Sequence, residues 1–223
     1  MAIEAGPARM MATLGIAGLS SGFALVSIHL LTQPRIERNR AEALEAAIYH
    51  VLPGASRSEA FVLRDGELTP FRDPEGRLPD EEAVYAGYDD AGEPVGFAIP
   101  AEGPGFQDTI KLIYGYDPAR RRIVGMEVLE SRETPGLGDK IIKDDAFVEN
   151  FRDLAVTPEL VVVKRKRTRE NEVDAISGAT ISSNAVVRII NEANARWLVR
   201  LPGGDATVRA PSPVAAQTAR GPD

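Results

Sequence analysis

From Met10 to Pro34 the chain runs 25 residues without Asp, Glu, Lys or Arg, framed by Arg9 on one side and by Arg35, Arg38 and Arg40 on the other. About 20 apolar residues cross a bilayer core as a helix, so the pattern predicts a transmembrane anchor over 10–34 after a short flank at 1–9. A cleavable signal peptide would carry a shorter apolar stretch ending in a small-x-small site. This run ends in LLTQPRIER, which favours an anchor that stays attached. Gly15, Gly18 and Gly22 fall on one helical face, and the Gly18 to Gly22 spacing lets another membrane helix approach closely.

The pattern then changes. Leu44, Ala47, Ile48 and Val51 recur at helical spacing with charges opposite and Pro53-Gly54 as a stop, predicting an amphipathic helix. Short alternating runs predict strands at 59–64, 83–89, 95–101, 109–117 and 122–131, separated by turn chemistry at 64–67, 90–94 and 117–122. The last two strands read as a hairpin. A short helix follows at 144–154, a strand at 160–166, and a final helix at 182–201 whose Val186, Ile189, Ile190, Ala193 and Trp197 form one apolar stripe. From 204 to 223 the composition turns to Ala, Pro, Gly and Thr without a period, predicting a disordered tail. The architecture implied is α+β: an N-terminal transmembrane helix and one domain over 35–203, an antiparallel sheet with flanking helices.

Composition narrows the chemistry. An apolar fraction of 43% in 223 residues supports a real core. A formal net charge of -7 argues against a nucleic-acid surface, which needs clustered Lys and Arg. With no cysteine and only His29 and His50, a disulfide framework, thiolate metal sites and a histidine-rich metal site are disfavoured, and redox chemistry would fall to an organic cofactor. Neither histidine suits a hydrolase, His29 lying in the apolar run and His50 on the helix after it.

Two segments remain. Ser177, Gly178, Ala179 and Thr180 form a small-residue turn before the final helix. A helix start carries unpaired N–H groups and partial positive charge, so an anion placed there is stabilised. Ser177, Thr180, Ser182 and Ser183 add hydroxyls, although Ser183 or Asn184 would serve equally as an ordinary N-cap. The loop SRETPGLGDKI at 131–141 packs Pro135, Gly136 and Gly138 into four positions, leaving backbone open to a flat ligand. Arg165, Lys166, Arg167 and Arg169 read as a solvated strand end or hairpin, with contact to an acidic partner or phospholipid as the functional alternative.

The order of an N-terminal anchor, EGPGFQDTIKLIYGYDP, ETPGLGDKI and SGATISS resembles the G subunit of Rnf-type electron transport complexes. These are relatives of the C subunit of the sodium-pumping NADH:quinone reductase. The resemblance runs from about residue 10 to about residue 200. It implies an FMN joined through its phosphate to the Thr180 hydroxyl, installed by a flavin transferase with FAD as donor and magnesium assisting. Asp174 would belong to the motif that the transferase recognises, and Ser177, Gly178 and Ala179 would surround the attachment point. Glu133, Thr134, Gly136, Leu137 and Gly138 would line the isoalloxazine ring, with Lys164 as a further contact to the flavin or its phosphate.

The role implied is an electron-relaying subunit of an ion-translocating ferredoxin:NAD oxidoreductase, partnered by its integral membrane subunits and without turnover of its own. The resemblance also implies a single pass through the cytoplasmic membrane with the domain on the periplasmic or outer side. The arginines after the span lean the other way by the positive-inside rule. The alternative is a cofactor-free, membrane-anchored binding or assembly module in which SGAT is a cap and the PGLG loop docks a partner.

Overall fold

The computed structural model describes residues 6–64, 66–74, 77–79, 81–164 and 166–201; the expected tail at 204–223 and Arg165 of the basic cluster lie outside them. The chain divides between Ala43 and Leu44 into two units. Helix α1, Pro7–Val51, runs through that boundary as a single element, where the sequence suggested an anchor ending at Pro34 and a separate helix. An interior proline removes its own N–H from the ladder and crowds the carbonyl four residues before it, yet Pro34 lies inside the helix. Among the described residues α1 is the one helix long and apolar enough to cross a membrane. Within the apolar run Thr32 returns its hydroxyl to the Ile28 and His29 carbonyls, so a polar side chain there is satisfied by its own helix.

In the second unit, a seven-stranded antiparallel sheet comprises β1 (Arg57–Arg64), β2 (Glu67–Phe71), β3 (Ala83–Tyr88), β4 (Pro94–Pro104), β5 (Thr109–Asp117), β6 (Arg122–Glu130) and β7 (Leu154–Ala155), in the spatial order β2-β1-β3-β4-β5-β6-β7. Such meandering follows from short turns between antiparallel neighbours. The expected β5–β6 hairpin is present, closed by Asp117↔Arg122. The strand β2 escaped the sequence reading because Pro70 sits in it; as the edge strand it has one ladder side free of the sheet, where a proline is tolerated.

Between β6 and β7 lie α2 (Lys140–Lys143) and α3 (Asp145–Glu149). The helix expected over 144–154 is thus shorter. Asp144 caps α3 by accepting from the Phe147 N–H, and the chain leaves helix at Asn150, reaching β7 at Leu154. The strand expected at 160–166 is β8 (Val161–Val163), and it pairs in parallel with β9 (Glu172–Asp174), which the sequence did not reveal. The outer side of this small sheet is met by Asn191, whose amide donates to the Leu160 carbonyl at 2.9 Å and accepts from its N–H at 3.1 Å.

The last helix, α4, spans Thr180–Trp197, starting two residues before the expected 182. Its stripe of Val186, Ile189, Ile190, Ala193 and Trp197 is buried as expected, against Val84, Ile99, Ile110, Leu112 and Tyr114 of the sheet. The Tyr114 hydroxyl donates to Asn194 Oδ1 at 2.9 Å, pinning α4 to β5 inside the core. Burial pushes this phenol far above its ordinary pKa, so it acts only as a neutral donor.

The opposite sheet face receives the last turns of α1: Ala47, Ile48, Val51 and Leu52 pack with Tyr85, Ala98 and Ile113. Close approach is possible because Gly115 and Gly125, cross-strand partners on β5 and β6, present no side chain. A Cβ on Gly115 would overlap the Val51 carbonyl oxygen, and one on Gly125 would stand 3.0 Å from the Val51 Cα.

Candidate functional site

Strand β9 delivers the chain to the SGAT turn. Ala175 N–H donates to the Val163 carbonyl at 2.8 Å, and Ala179 N–H donates to Ile176 O at 3.0 Å, closing a turn over Ile176–Ala179. Gly178, third in that turn, has φ +82° with open space where a Cβ would stand. Here the glycine is required by backbone conformation and not by packing. The Ser183 hydroxyl accepts from Ile176 N–H at 3.1 Å and donates to Ala179 O at 3.0 Å, stapling the turn to the helix.

The expectation that Ser183 or Asn184 could be the N-cap is therefore corrected. Both lie inside α4; the N-cap position is held by Ala179, and no side chain caps the helix. Asn184 instead donates to Thr180 O at 2.7 Å. A helix start without a side-chain cap leaves N–H donors of its first turn available to an external anion. Thr180 is the first helical residue and partly exposed, and its hydroxyl makes no hydrogen bond among the described residues. Ser177 and Gly178 are exposed and Ala179 is buried.

The PGLG loop reaches the same place through one carboxylate. Glu133 is only 5% exposed. Its Oε1 accepts from the N–H groups of Phe106 at 2.8 Å and Gln107 at 3.0 Å, and its Oε2 accepts from the Ser182 hydroxyl on the first turn of α4 at 2.7 Å. Burial by itself would raise this carboxyl's pKa, but the donors at Gln107, Ser182 and Phe106 outweigh it and hold it below the usual range.

Glycines shape the pocket for that carboxylate. A Cβ on Gly138 would lie 2.5 Å from Oε2 and 3.0 Å from Ser182 Oγ, and one on Gly105 would collide with Oε1. The rest of the loop is built around Asp139, which accepts from Gly136 N–H at 2.7 Å and from Lys143 Nζ at 2.6 Å. The Lys143 ammonium, first, and the Gly136 N–H keep this carboxyl's pKa low. Gly136 has φ +79°, Leu137 N–H donates to Thr134 O at 3.1 Å, and the Thr134 hydroxyl donates to Gln107 Oε1 at 2.8 Å.

Of the residues singled out in the sequence, Glu133, Thr134, Gly136, Leu137 and Gly138 are thus joined to Ser177, Gly178, Ala179 and Thr180 through the Glu133–Ser182 bond. Glu133 is turned inward, with both oxygens engaged by the protein. Three large apolar side chains carried by this network stay in solvent: Phe106 at 64%, Leu137 at 50% and Ile181 at 61% exposure. Sequence reasoning had not singled out Phe106 or Ile181. A hydrophobic residue in a Gly-rich turn and one beside SGAT were the available signals.

Lys164 is exposed and directly follows Val163, whose carbonyl receives Ala175 N–H. It therefore sits at the end of β8 beside the entry to the SGAT turn. Asp174 ends β9; its Oδ1 accepts from Arg167 N–H, and its own N–H donates to Asn150 Oδ1 at 3.1 Å. Lys166, Arg167 and Arg169 lie in the connection from β8 to β9. There Arg167 also donates to Asn150 O, and Arg169 lies 3.8 Å from Glu172.

A groove of about 570 Å³ runs beside α4 and β8, lined by Glu159, Val162, Asn184, Arg188 and Asn191 among others, but by none of the PGLG residues. Among the described residues no group of three or more His, Cys, Asp or Glu could hold a metal ion. One G-x-S-x-G spelling does occur, at Gly18-Leu19-Ser20-Ser21-Gly22. It lies in mid-helix within α1, without the strand-to-helix elbow that would expose a nucleophilic serine.

Residues 105–195, from the glycine beside Glu133 to the body of α4, match the family model of the FMN-binding domain. The fold is that of two solved structures. Shewanella oneidensis NqrC covers 69% of this chain and 91% of its own, with a TM-score of 0.55 and 18% identity. The C subunit of the Na(+)-translocating NADH-quinone reductase from Parabacteroides distasonis covers 72% and 93%, with a TM-score of 0.56 and 19% identity. The class is thus a membrane-anchored protein with an FMN-binding domain.

Among curated proteins, the G subunit of the Na(+)-translocating ferredoxin:NAD(+) oxidoreductase complex of Acetobacterium woodii is 32% identical over 171 residues, covering 75% of this chain and 80% of that protein. The G subunit of the ion-translocating oxidoreductase complex of Methanosarcina acetivorans is 28% identical over 190 residues, covering 83% and 91%. The chain belongs to the family of G subunits of ion-translocating oxidoreductase complexes.

Proposed function

We propose that this protein is the flavin-carrying electron relay of an ion-translocating ferredoxin:NAD oxidoreductase complex, with FMN esterified to Thr180. The observation that carries the attachment point is the start of α4. An uncapped helix terminus, a partly exposed threonine hydroxyl without a partner and a glycine turn that keeps side chains away meet at one residue. The phosphodiester formed there keeps one negative charge at the positive end of an 18-residue helix.

The apolar surfaces of Phe106, Leu137 and Ile181 suit the faces of a flat aromatic ring, and Thr134 and Gln107 offer polar edges beside them. In attachment the threonine oxygen forms a bond to the FMN phosphorus of FAD, the phosphoanhydride bond breaks, AMP leaves, and the hydroxyl proton passes to solvent or to the transferase. Asp174 and the exposed Ser177-Gly178 then present the segment that a flavin transferase would recognise. Bound flavin supplies reversible electron transfer, while this chain supplies position and surroundings.

The partners are the other membrane subunits of the complex. The domain is assigned to the outer side of the membrane, an assignment with which a chain free of cysteine is compatible.

Intact mass of the denatured full chain after coexpression with a flavin transferase tests the reading. One added FMN on the peptide containing Thr180, lost in Thr180→Ala without loss of folding, is expected. A colourless chain of unmodified mass would favour the cofactor-free assembly module instead. Protease access in intact cells and in inverted vesicles tests the side on which the domain lies.

A further inference from the structure

We infer that Glu133 is the positioning residue of the flavin site: its buried, ionised carboxylate fastens the 105–107 loop and the PGLG loop to the first turn of α4, fixing the spacing between Phe106, Leu137 and Ile181. The inference rests on the flavin reading above and concerns a residue whose oxygens are not free to touch the ring.

Each oxygen is used. Oε1 holds two successive N–H groups of the 105–107 loop and Oε2 holds Ser182, two residues after Thr180. The donors come from two separate elements, and the carboxylate stands between them on a third. Gly105 and Gly138 leave it just enough room. All three donors are neutral. Of the charged groups on the packed elements, Arg132 lies 3.9 Å from Asp108 and 4.0 Å from Glu130, Lys143 is paired with Asp139 and Arg188 with Glu192, while half-buried Lys140 forms no ion pair among the described residues.

The donors bond a charged carboxylate more strongly than a neutral carboxyl, so a proton on Oε2, which would turn the Ser182 bond round, weakens the clamp. Neutral glutamine isolates charge from geometry. Its carbonyl can take both N–H bonds while its amide donates to Ser182 Oγ, reversing that bond. Aspartate does the converse, keeping the charge but falling one methylene short of the donors.

The test uses the full chain in detergent, as wild type, Glu133→Gln and Glu133→Asp, coexpressed with a flavin transferase. Flavin fluorescence anisotropy is read against pH on each. Amide exchange of Phe106 and Gln107 is read on the same three backgrounds carrying Thr180→Ala, so that it does not depend on flavin. Expected in wild type are protected amides and an immobile flavin at neutral pH, both released in acid below the ordinary carboxylate range. Glu133→Gln, which mimics the protonated carboxyl, shows the acid wild-type values at neutral pH and no further change in acid. In Glu133→Asp protection falls about tenfold or more at neutral pH, as loss of hydrogen bonds to a charged group implies, and the flavin becomes mobile.

Equal exchange in all three chains, or an immobile flavin in Glu133→Asp, would overturn the inference. The expected exchange pattern in a wild-type chain that takes up no flavin would instead overturn the flavin reading, and with it the positioning role, while leaving the tie between the loops.

Discussion

Two places in the domain are built by the same device, a pair of glycines against which another group is pressed, and they serve opposite ends. At one, Gly115 and Gly125 receive Val51 from the end of α1, surrounded by Ile48, Leu52 and Ile113. At the other, Gly105 and Gly138 receive the Glu133 carboxylate. The first seat is a backbone and aliphatic contact whose worth is packing and the area removed from water. The second holds a charge on directional hydrogen bonds. The first should therefore respond to volume alone, and the second to volume, hydrogen bonding and pH.

The sharpest way to break the first seat is Gly115→Ala. Its new methyl has nowhere to go but into the Val51 carbonyl, so destabilisation at the upper end of the usual overpacking range, about 3 kcal/mol, is expected in chemical denaturation of the full chain. That cost should be the same at neutral and mildly acidic pH. Gly138→Ala, which pushes a methyl onto Glu133 Oε2 and Ser182 Oγ, should cost about 2 kcal/mol and also loosen bound flavin. A Gly138→Ala chain with native stability and native flavin anisotropy would show that the carboxylate is not tightly seated.

Ser182→Ala removes one of the three donors to a buried carboxylate, with an expected cost of about 1–2 kcal/mol at neutral pH. The sign with pH follows from linkage. Glu133 has its carboxyl pKa lowered in the folded chain. Its contribution is therefore full above the unfolded carboxylate value and is lost as pH falls through the lower folded value. Ser182→Ala weakens that preference, so its cost should shrink in acid, where Gly115→Ala stays constant. Gly178→Ala, which would hold alanine at φ +82° with no steric neighbour, should cost about 1 kcal/mol and slow flavin attachment at the adjacent Thr180. Smallest is His50→Ala. It removes an exposed pair with Glu127 at 2.7 Å beside the first seat and should change stability by less than about 1 kcal/mol.

The two seats also differ in how far the chain disclosed them. The amphipathic spacing of Leu44, Ala47, Ile48 and Val51 announced a packed helix end, and the alternation of β3 to β6 announced the sheet that receives it. Both rest on local periodicity. The role of Glu133 was not legible, because its donors lie 26, 27 and 49 residues away in sequence, and no local pattern marks a contact of that kind. The motifs ETPGLGDK and SGAT were visible as candidate chemistry, yet the bond joining them was not. Strands β2 and β9 were missed for different reasons. Pro70 disguises an edge strand, and the three residues of β9 are too few to show alternation. The start of α4 was misplaced because serines at 182 and 183 resemble caps, whereas Ser182 bonds Glu133 from a distant loop and Ser183 bonds back to Ala179 and Ile176 of the preceding turn.

Asn191 carries a consequence of another kind. A strand edge with free N–H and C=O groups is a template on which an extended segment of a second chain can polymerise. By presenting an amide that both donates and accepts at Leu160, this side chain imitates one rung of a neighbouring strand and occupies that position. The large sheet ends at one side on a strand containing Pro70 and at the other on two residues. Proteins confined to a membrane meet one another at high local concentration, and here three edges that would let them aggregate are blunted by something as small as one proline, one short strand or one amide.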